Sequence, residues 1–292
     1  MDVTISIINY NYGRFLSTAI ESALVQSVDG VTIEVLVIDD GSTDESDSII
    51  EKYANHQNFR SSKTKNQGFG ASLGRAITEA NGRYVFLMDA DDYFAPDKVS
   101  AMLPALQKGN LFVCDTSKYI DVNNEYLSKG MWGSTSTMAV VKAAALPLLP
   151  LENELSFYTL YKVGRGIILS ESYTYYRMHG GSMTDRKAPG KWQNYLANMT
   201  ANLVLRIEGL VNSDTLPPWN VDKNKILSVA YEFKSKAYYH QLESALELKE
   251  PIKAYKSYIN MLHWNVRSGN GITVFNLKML AKTILMRASR PK

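Results

Sequence analysis

The chain has 292 residues, 45% hydrophobic and 21% charged, with a formal net charge of +3. That length holds one large α/β domain with an appended helical region, and that charge is too small to argue for a nucleic-acid partner. A single cysteine, Cys114, excludes an internal disulfide framework. With no charged start leading into an apolar stretch, the expectation is a cytoplasmic protein. No apolar run reaches the length of a bilayer span, because AVVKAAALPLLPL is broken by Lys142, Pro147 and Pro150.

The first hundred residues alternate β-branched runs with amphipathic segments, the pattern of βαβ units around a mainly parallel sheet. Strands are predicted over 4–8, 33–38, 59–62 and 84–88, with helices starting near Gly13, Thr43, Gly70 and Pro96. Ser42 and Glu45 have capping-box spacing, so Ser42 is expected to cap the second helix and leave Asp39 and Asp40 on the loop before it. Open α/β sheets bind ligands outside the carboxyl ends of their strands, where Asn9, Asp39, Asp40, Asn66 and Asp89 all fall.

The run YVFLMDADD, residues 84–92, ends an apolar strand in three carboxylates. In extended backbone, side chains two apart share a face, so Asp89 and Asp91 point together. Such oxygens suit a hard divalent ion, Mg²⁺ or Mn²⁺, although Asp is also a common turn residue. Farther on, LFVCDTSKYIDV reads as a strand before a Gly- and Ser-rich loop near 131–137. Residues 152–163 read as a helix, and SESYTYYRMHGGSMT as a last strand entering a Gly-Gly turn. Beyond Pro189 the pattern is helical, which places a boundary near Ala188 and divides the chain into 1–188 and 189–292.

In order and spacing, Asn-Tyr-Asn, Asp-Asp-Gly-Ser-Thr-Asp, Asn-x-Gly, Asp-Ala-Asp-Asp and Tyr-Arg-x-His resemble the family-2 glycosyltransferases. The resemblance is close over 3–99 and looser over 152–184. It implies the GT-A fold, a Rossmann-like mixed sheet flanked by helices, here followed by a C-terminal helical region. It also implies an inverting, metal-dependent transfer of sugar from a nucleoside diphosphate, UDP above others, to a glycan or lipid-linked acceptor in surface polysaccharide synthesis. On this resemblance Asp40, and with it Asp39, accepts a base N–H, while Asn66 and Gly68 approach the nucleoside. Asp91 binds the metal, Asp89 contacts ribose or the metal's waters, His179 ligates the metal or touches the diphosphate, and Arg177 pairs with phosphate oxygens. Arg75 stands near the place of a family Arg-Asn that this chain replaces with Leu73 and Gly74.

The acceptor base is where this chain departs from its family. The family's Glu-Asp falls on Glu152 and Asn153, and an amide cannot remove a proton near neutral pH. Either Glu152 or Glu154 serves instead, with Asp115 and Asp121 next in line, or the chain is a noncatalytic nucleotide-sugar or glycan-binding subunit. A nucleotidyltransferase is a further alternative, for which NYNYGRF makes a poor phosphate loop. The basic, apolar segment at 274–292 is expected either to lie on an anionic membrane surface or to dock on its own domain.

Overall fold

A computed structural model describes residues 1–180 and 190–288 and divides into two compact units, Met1–Gly180 and Gly181–Lys292. The Gly-Gly turn at 180–181 lies partly outside the described residues, and the boundary near Ala188 and the basic residues Arg290 and Lys292 wholly so. In the first unit, β1 (Val3–Asn9), α1 (Gly13–Leu24), β2 (Ile33–Asp39), α2 (Ser46–Tyr53), β3 (Phe59–Lys63), α3 (Phe69–Thr78) and β4 (Tyr84–Asp89) form the expected βαβ series. After a short β5 (Tyr93–Phe94) come α4 (Lys98–Gln107), β6 (Phe112–Ile120), β7 (Tyr126–Lys129), β8 (Met138–Val141), one-turn α5 (Lys142–Ala145) and α6 (Tyr158–Leu160), and β9 (Gly166–Arg177).

The sheet runs β3-β2-β1-β4-β8-β6-β9-β5, with β7 paired to β6. Strands β1 to β4 are parallel, and β8 enters antiparallel between β4 and β6. All seven residues of β1 are buried, as a strand covered on both faces requires. On one face Ile5, Ile7, Val37 and Met88 meet Leu16 and Ile20 of α1 and Val99 and Met102 of α4. Full burial of each such side chain contributes about 1.5–3 kcal/mol.

Register fixes where the polar residues emerge. Asn9 lies beside Asp39, Asp39 beside Lys63, and Ile8 beside Asp89, so four strands deliver polar groups to one carboxyl edge. The chain passes from β1 to β2 on one side and returns to β4 on the other, which opens the crevice where open sheets hold ligands.

Two local expectations change. Helix α2 begins at Ser46, not near Thr43, and Ser42 does not cap it. The Ser42 hydroxyl is taken by the Asn11 N–H at 2.9 Å and the Asn9 amide at 3.1 Å, while Asp44 accepts the Ser46 N–H at 3.0 Å. The helix expected over 152–163 is a chain of short turns: a 3₁₀ turn at Glu154–Phe157, then α6, then a wide turn at Tyr161–Arg165 that Gly164 breaks at φ 80°.

The second unit contains α7 (Lys191–Asn212), α8 (Lys223–Glu247), α9 (Pro251–Arg267) and α10 (Val274–Ala288). Asp222 caps α8 by accepting the Lys225 N–H at 2.9 Å. No described helix is long and apolar enough to cross a membrane.

Candidate active site

At the end of β2 the acidic residues are tied to backbone. Asn9 is fully buried, and its amide nitrogen is shared among Asp39 Oδ2 at 2.7 Å, Ser46 Oγ at 2.9 Å and Ser42 Oγ at 3.1 Å. Asp39 is equally buried, its Oδ1 accepting the N–H groups of Gly41 at 3.0 Å and Ser42 at 2.8 Å. Both residues therefore shape the loop from below. Asp40 accepts the N–H groups of Gln67 and Gly68, each at 2.9 Å, and so joins this loop to the Asn66-x-Gly68 turn. These bonds leave about half of its lone-pair positions. Asn66 is exposed, and Gly68 starts α3 at φ +89°, a conformation that excludes most other residues.

At the end of β4 the carboxylates lie near enough to raise one another. Burial pushes the carboxyls of Asp89 and Asp92 well above their usual range, and the Asp91 charge pushes both further. Asp92 and Glu154 raise Asp89 as well. The Tyr12 hydroxyl is pushed up to about 12, first by burial and then by Asp91 and Asp89, so it stays a proton donor beside the cluster. Tyr176 is raised by burial and then by Asp92, Asp89 and Asp91.

Three carboxylates crowded in this way suit a hard divalent ion, and their oxygens with one imidazole are the donors that Mn²⁺ and Mg²⁺ accept. Asp91 Oδ2 lies 2.9 Å from His179 Nε2, which joins two of the expected ligands. Among the described residues no group of three or more metal-ligating side chains is already gathered on one point. The His179 ring is lodged against Tyr12 and Phe15 of the β1–α1 segment, with ring centroids 5.6 and 5.4 Å away.

Arg177 is held by backbone carbonyls. Its Nε donates to the Asp91 carbonyl at 2.8 Å and its Nη1 to the carbonyls of Asp121 and Val122 at 3.1 and 3.3 Å, with the guanidinium 4.6 Å above Phe15. These bonds brace the acidic loop. Arg75 is likewise committed, to Glu79, Thr64 and Ser62.

Several supporting residues gave no sequence signal. Ser136 accepts the Asp89 N–H at 2.9 Å and donates to Asp92 at 2.6 Å. Beneath it Lys98, fully buried, binds Asp115 at 2.9 Å, the Ser136 carbonyl at 2.9 Å and Thr174 Oγ1 at 2.6 Å. Asp115, set at a bulge between β6 and β9, is sealed by Lys98, Thr174 and the Tyr173 N–H and cannot act as a base. Asp121 holds a surface turn through the N–H groups of Asn123 and Glu125.

The three base candidates separate. Glu152 is exposed, and its backbone packs so tightly over Gly70 that a Cβ there would collide with it. Asn153 accepts the Leu155 N–H at 3.1 Å, capping the 3₁₀ turn, so the amide has a structural task. Glu154 has its carboxyl raised by burial, and its charge reaches Asp89.

Comparison with known proteins gives the family and the fold. The family model described as glycosyl transferase family 2 matches residues 4–162. A chondroitin synthase of Escherichia coli is 35% identical over 131 residues, 44% of this chain and 19% of that protein. The first five curated relatives are matched over 13% to 37% of their own length. The UDP-Glc:alpha-D-GlcNAc-diphosphoundecaprenol beta-1,3-glucosyltransferase WfaP of Escherichia coli is 26% identical over 63% of this chain and 80% of its own. In fold, the crystal structure of S. aureus TarS 1-349 in complex with UDP-GlcNAc superposes with a TM-score of 0.67 at 18% identity, covering 98% of this chain and 89% of that one.

Proposed function

Because this chain belongs to glycosyl transferase family 2, whose model covers residues 4–162, we propose that it is an inverting, divalent-metal-dependent transferase. It moves a sugar from a UDP-linked donor to a saccharide or lipid-linked acceptor in surface polysaccharide synthesis. The observation that carries this reading is the crowding of Asp89, Asp91 and Asp92 at the carboxyl edge of the sheet, near enough to Glu154 for its charge to raise the Asp89 carboxyl as well. On this reading the acidic run takes the diphosphate's counter-ion and the half-buried Glu154 carboxyl serves the acceptor.

Asp91, Asp89 and His179 would hold Mn²⁺ or Mg²⁺, which when bound offsets the negative charge of the departing diphosphate. Asp40 uses its remaining lone pairs to accept the N–H of the base, and the Asn66-x-Gly68 turn that it anchors lies along the nucleoside. Tyr12, kept protonated, donates toward phosphate oxygens. Glu154 takes the proton of the acceptor hydroxyl as its oxygen attacks the anomeric carbon opposite the leaving group. A carboxyl raised by burial is a better base than an exposed one, since proton transfer improves as its pKa nears working pH. Arg177, Ser136 and Lys98 keep the acidic loop in place and do not touch substrate.

The reading is tested by UDP release from a panel of UDP-sugars, with Mn²⁺ and with chelator. Release that needs both one donor and the ion supports it. Donor binding without release under any pairing of donor and acceptor returns the chain to a noncatalytic binding role.

A further inference from the structure

We propose that the outer surface of α9 and α10 docks on an anionic lipid bilayer. Helix α9 already commits one apolar face to the fold, where Ala254, Tyr258 and Met261 pack with Leu242, Ala245 and Met279. It carries a second apolar set in solvent: Ile252, Tyr255, Ile259 and Val266 are 71%, 52%, 46% and 54% exposed. At about 100° per residue these four fall within about 60° of one another. Lys256, Arg267 and Lys253 follow on the flank over roughly the next 100°, so an apolar stripe runs beside a cationic one.

Helix α10 repeats the arrangement, with Leu277 and Ile284 56% and 57% exposed and Lys278 and Lys282 on the adjoining flank. The two helices together contain six Lys or Arg and no Asp or Glu. Local pairing is slight: Lys253 meets Glu250 at 3.0 Å and Lys282 meets Glu243 at 3.8 Å. The first of these pairs, exposed on both sides, holds little free energy.

Charge selects the occupant. A second copy of the same surface would set the five described cations, Lys253, Lys256, Arg267, Lys278 and Lys282, against their like, which disfavours self-pairing. An anionic bilayer supplies what the two stripes need, an apolar depth of about 5–10 Å for the isoleucines and tyrosine and a negative surface for the lysines. The inference rests on the helical unit alone and survives if the transferase reading fails.

The test is co-sedimentation of the full chain with phosphatidylcholine vesicles and with vesicles containing phosphatidylglycerol. Binding is expected with the anionic vesicles only, and it weakens as salt rises. Replacing Lys253 and Lys256 together by Ala should weaken it about 30-fold, at about five-fold per lysine near the surface. Ile252→Ser with Ile259→Ser should abolish it at every salt concentration. All four side chains are exposed, so both variants should keep the wild-type circular dichroism and UDP release. Equal binding by both variants, or no binding to anionic vesicles at low salt, overturns the proposal. So does a wild-type dimer, by sedimentation equilibrium, that the isoleucine variant converts to monomer while vesicle binding is unchanged.

Discussion

Two acidic runs flank β1, Asp39 and Asp40 after β2 and Asp89, Asp91 and Asp92 after β4. The first pair accepts four backbone N–H groups, from Gly41, Ser42, Gln67 and Gly68, and so builds the loops on its side. In the second run Asp89 and Asp92 are driven above their usual range by burial and by the Asp91 charge. The same side chain at equivalent strand ends thus serves two purposes. Donors make a carboxylate part of the scaffold, Asp92 included, which accepts the Arg177 N–H and the Ser136 hydroxyl, while Asp89 and Asp91 are the pair proposed to meet an external cation.

The largest effect should come from beneath the second cluster. Lys98→Met leaves Asp115 as an uncompensated buried charge and should cost about 3–5 kcal/mol in urea unfolding. Adding Asp115→Leu should recover most of that loss. If the single variant unfolds like wild type, the contrast between a built scaffold and a strained cluster is misplaced.

Asp91→Ala should lower sugar transfer about 10²–10³-fold with little change in the unfolding midpoint, since its carboxylate belongs to the ligand side. Glu154→Gln should cost about 10²-fold in transfer while UDP affinity is kept, as removal of a general base does. Asn153→Asp should change transfer little, because that position caps a turn. Measuring the transfer rate and UDP affinity separately decides both, and a large gain from Asn153→Asp would move the base back to the family's usual place.

The smallest effect is expected at the scaffold pair. Asp39→Asn can turn its oxygen to Gly41 and Ser42, but then its own amide faces the amide of Asn9, donor against donor. Stability should fall by about 1–3 kcal/mol in denaturant, with transfer by the folded fraction near wild type. Transfer lost beyond the folded fraction would give Asp39 a direct part in binding.

The βαβ series was legible because strand periodicity and turn chemistry agree there, and strand starts at residues 33, 59 and 84 coincide with those observed. Asp89 was legible as the end of an apolar strand at the edge of a parallel sheet, whereas Asp91 follows in a turn closed by the Asp92 N–H on the Asp89 carbonyl, where the expected strand alternation does not apply. What lay hidden depended on contacts distant in sequence. Ser42 and Glu45 have capping-box spacing, yet Asn9 and Asn11 from another strand end claim the serine. Lys98, following Pro96 and Asp97, reads as an exposed first turn; only the fold reveals Asp115, Ser136 and Thr174 around its ammonium group. Arg177 sits in a recognisable motif, but no local pattern tells that carbonyls from 91, 121 and 122 converge on it.

The most direct test of the division between scaffold and ligand carboxylates is calorimetry of UDP binding to wild type, Asp91→Ala and Asp39→Asn, each with Mn²⁺ and with chelator. Binding should require the ion in wild type and in Asp39→Asn, and should be lost or strongly weakened in Asp91→Ala. Ion-independent binding of equal strength in wild type and Asp91→Ala would contradict the account.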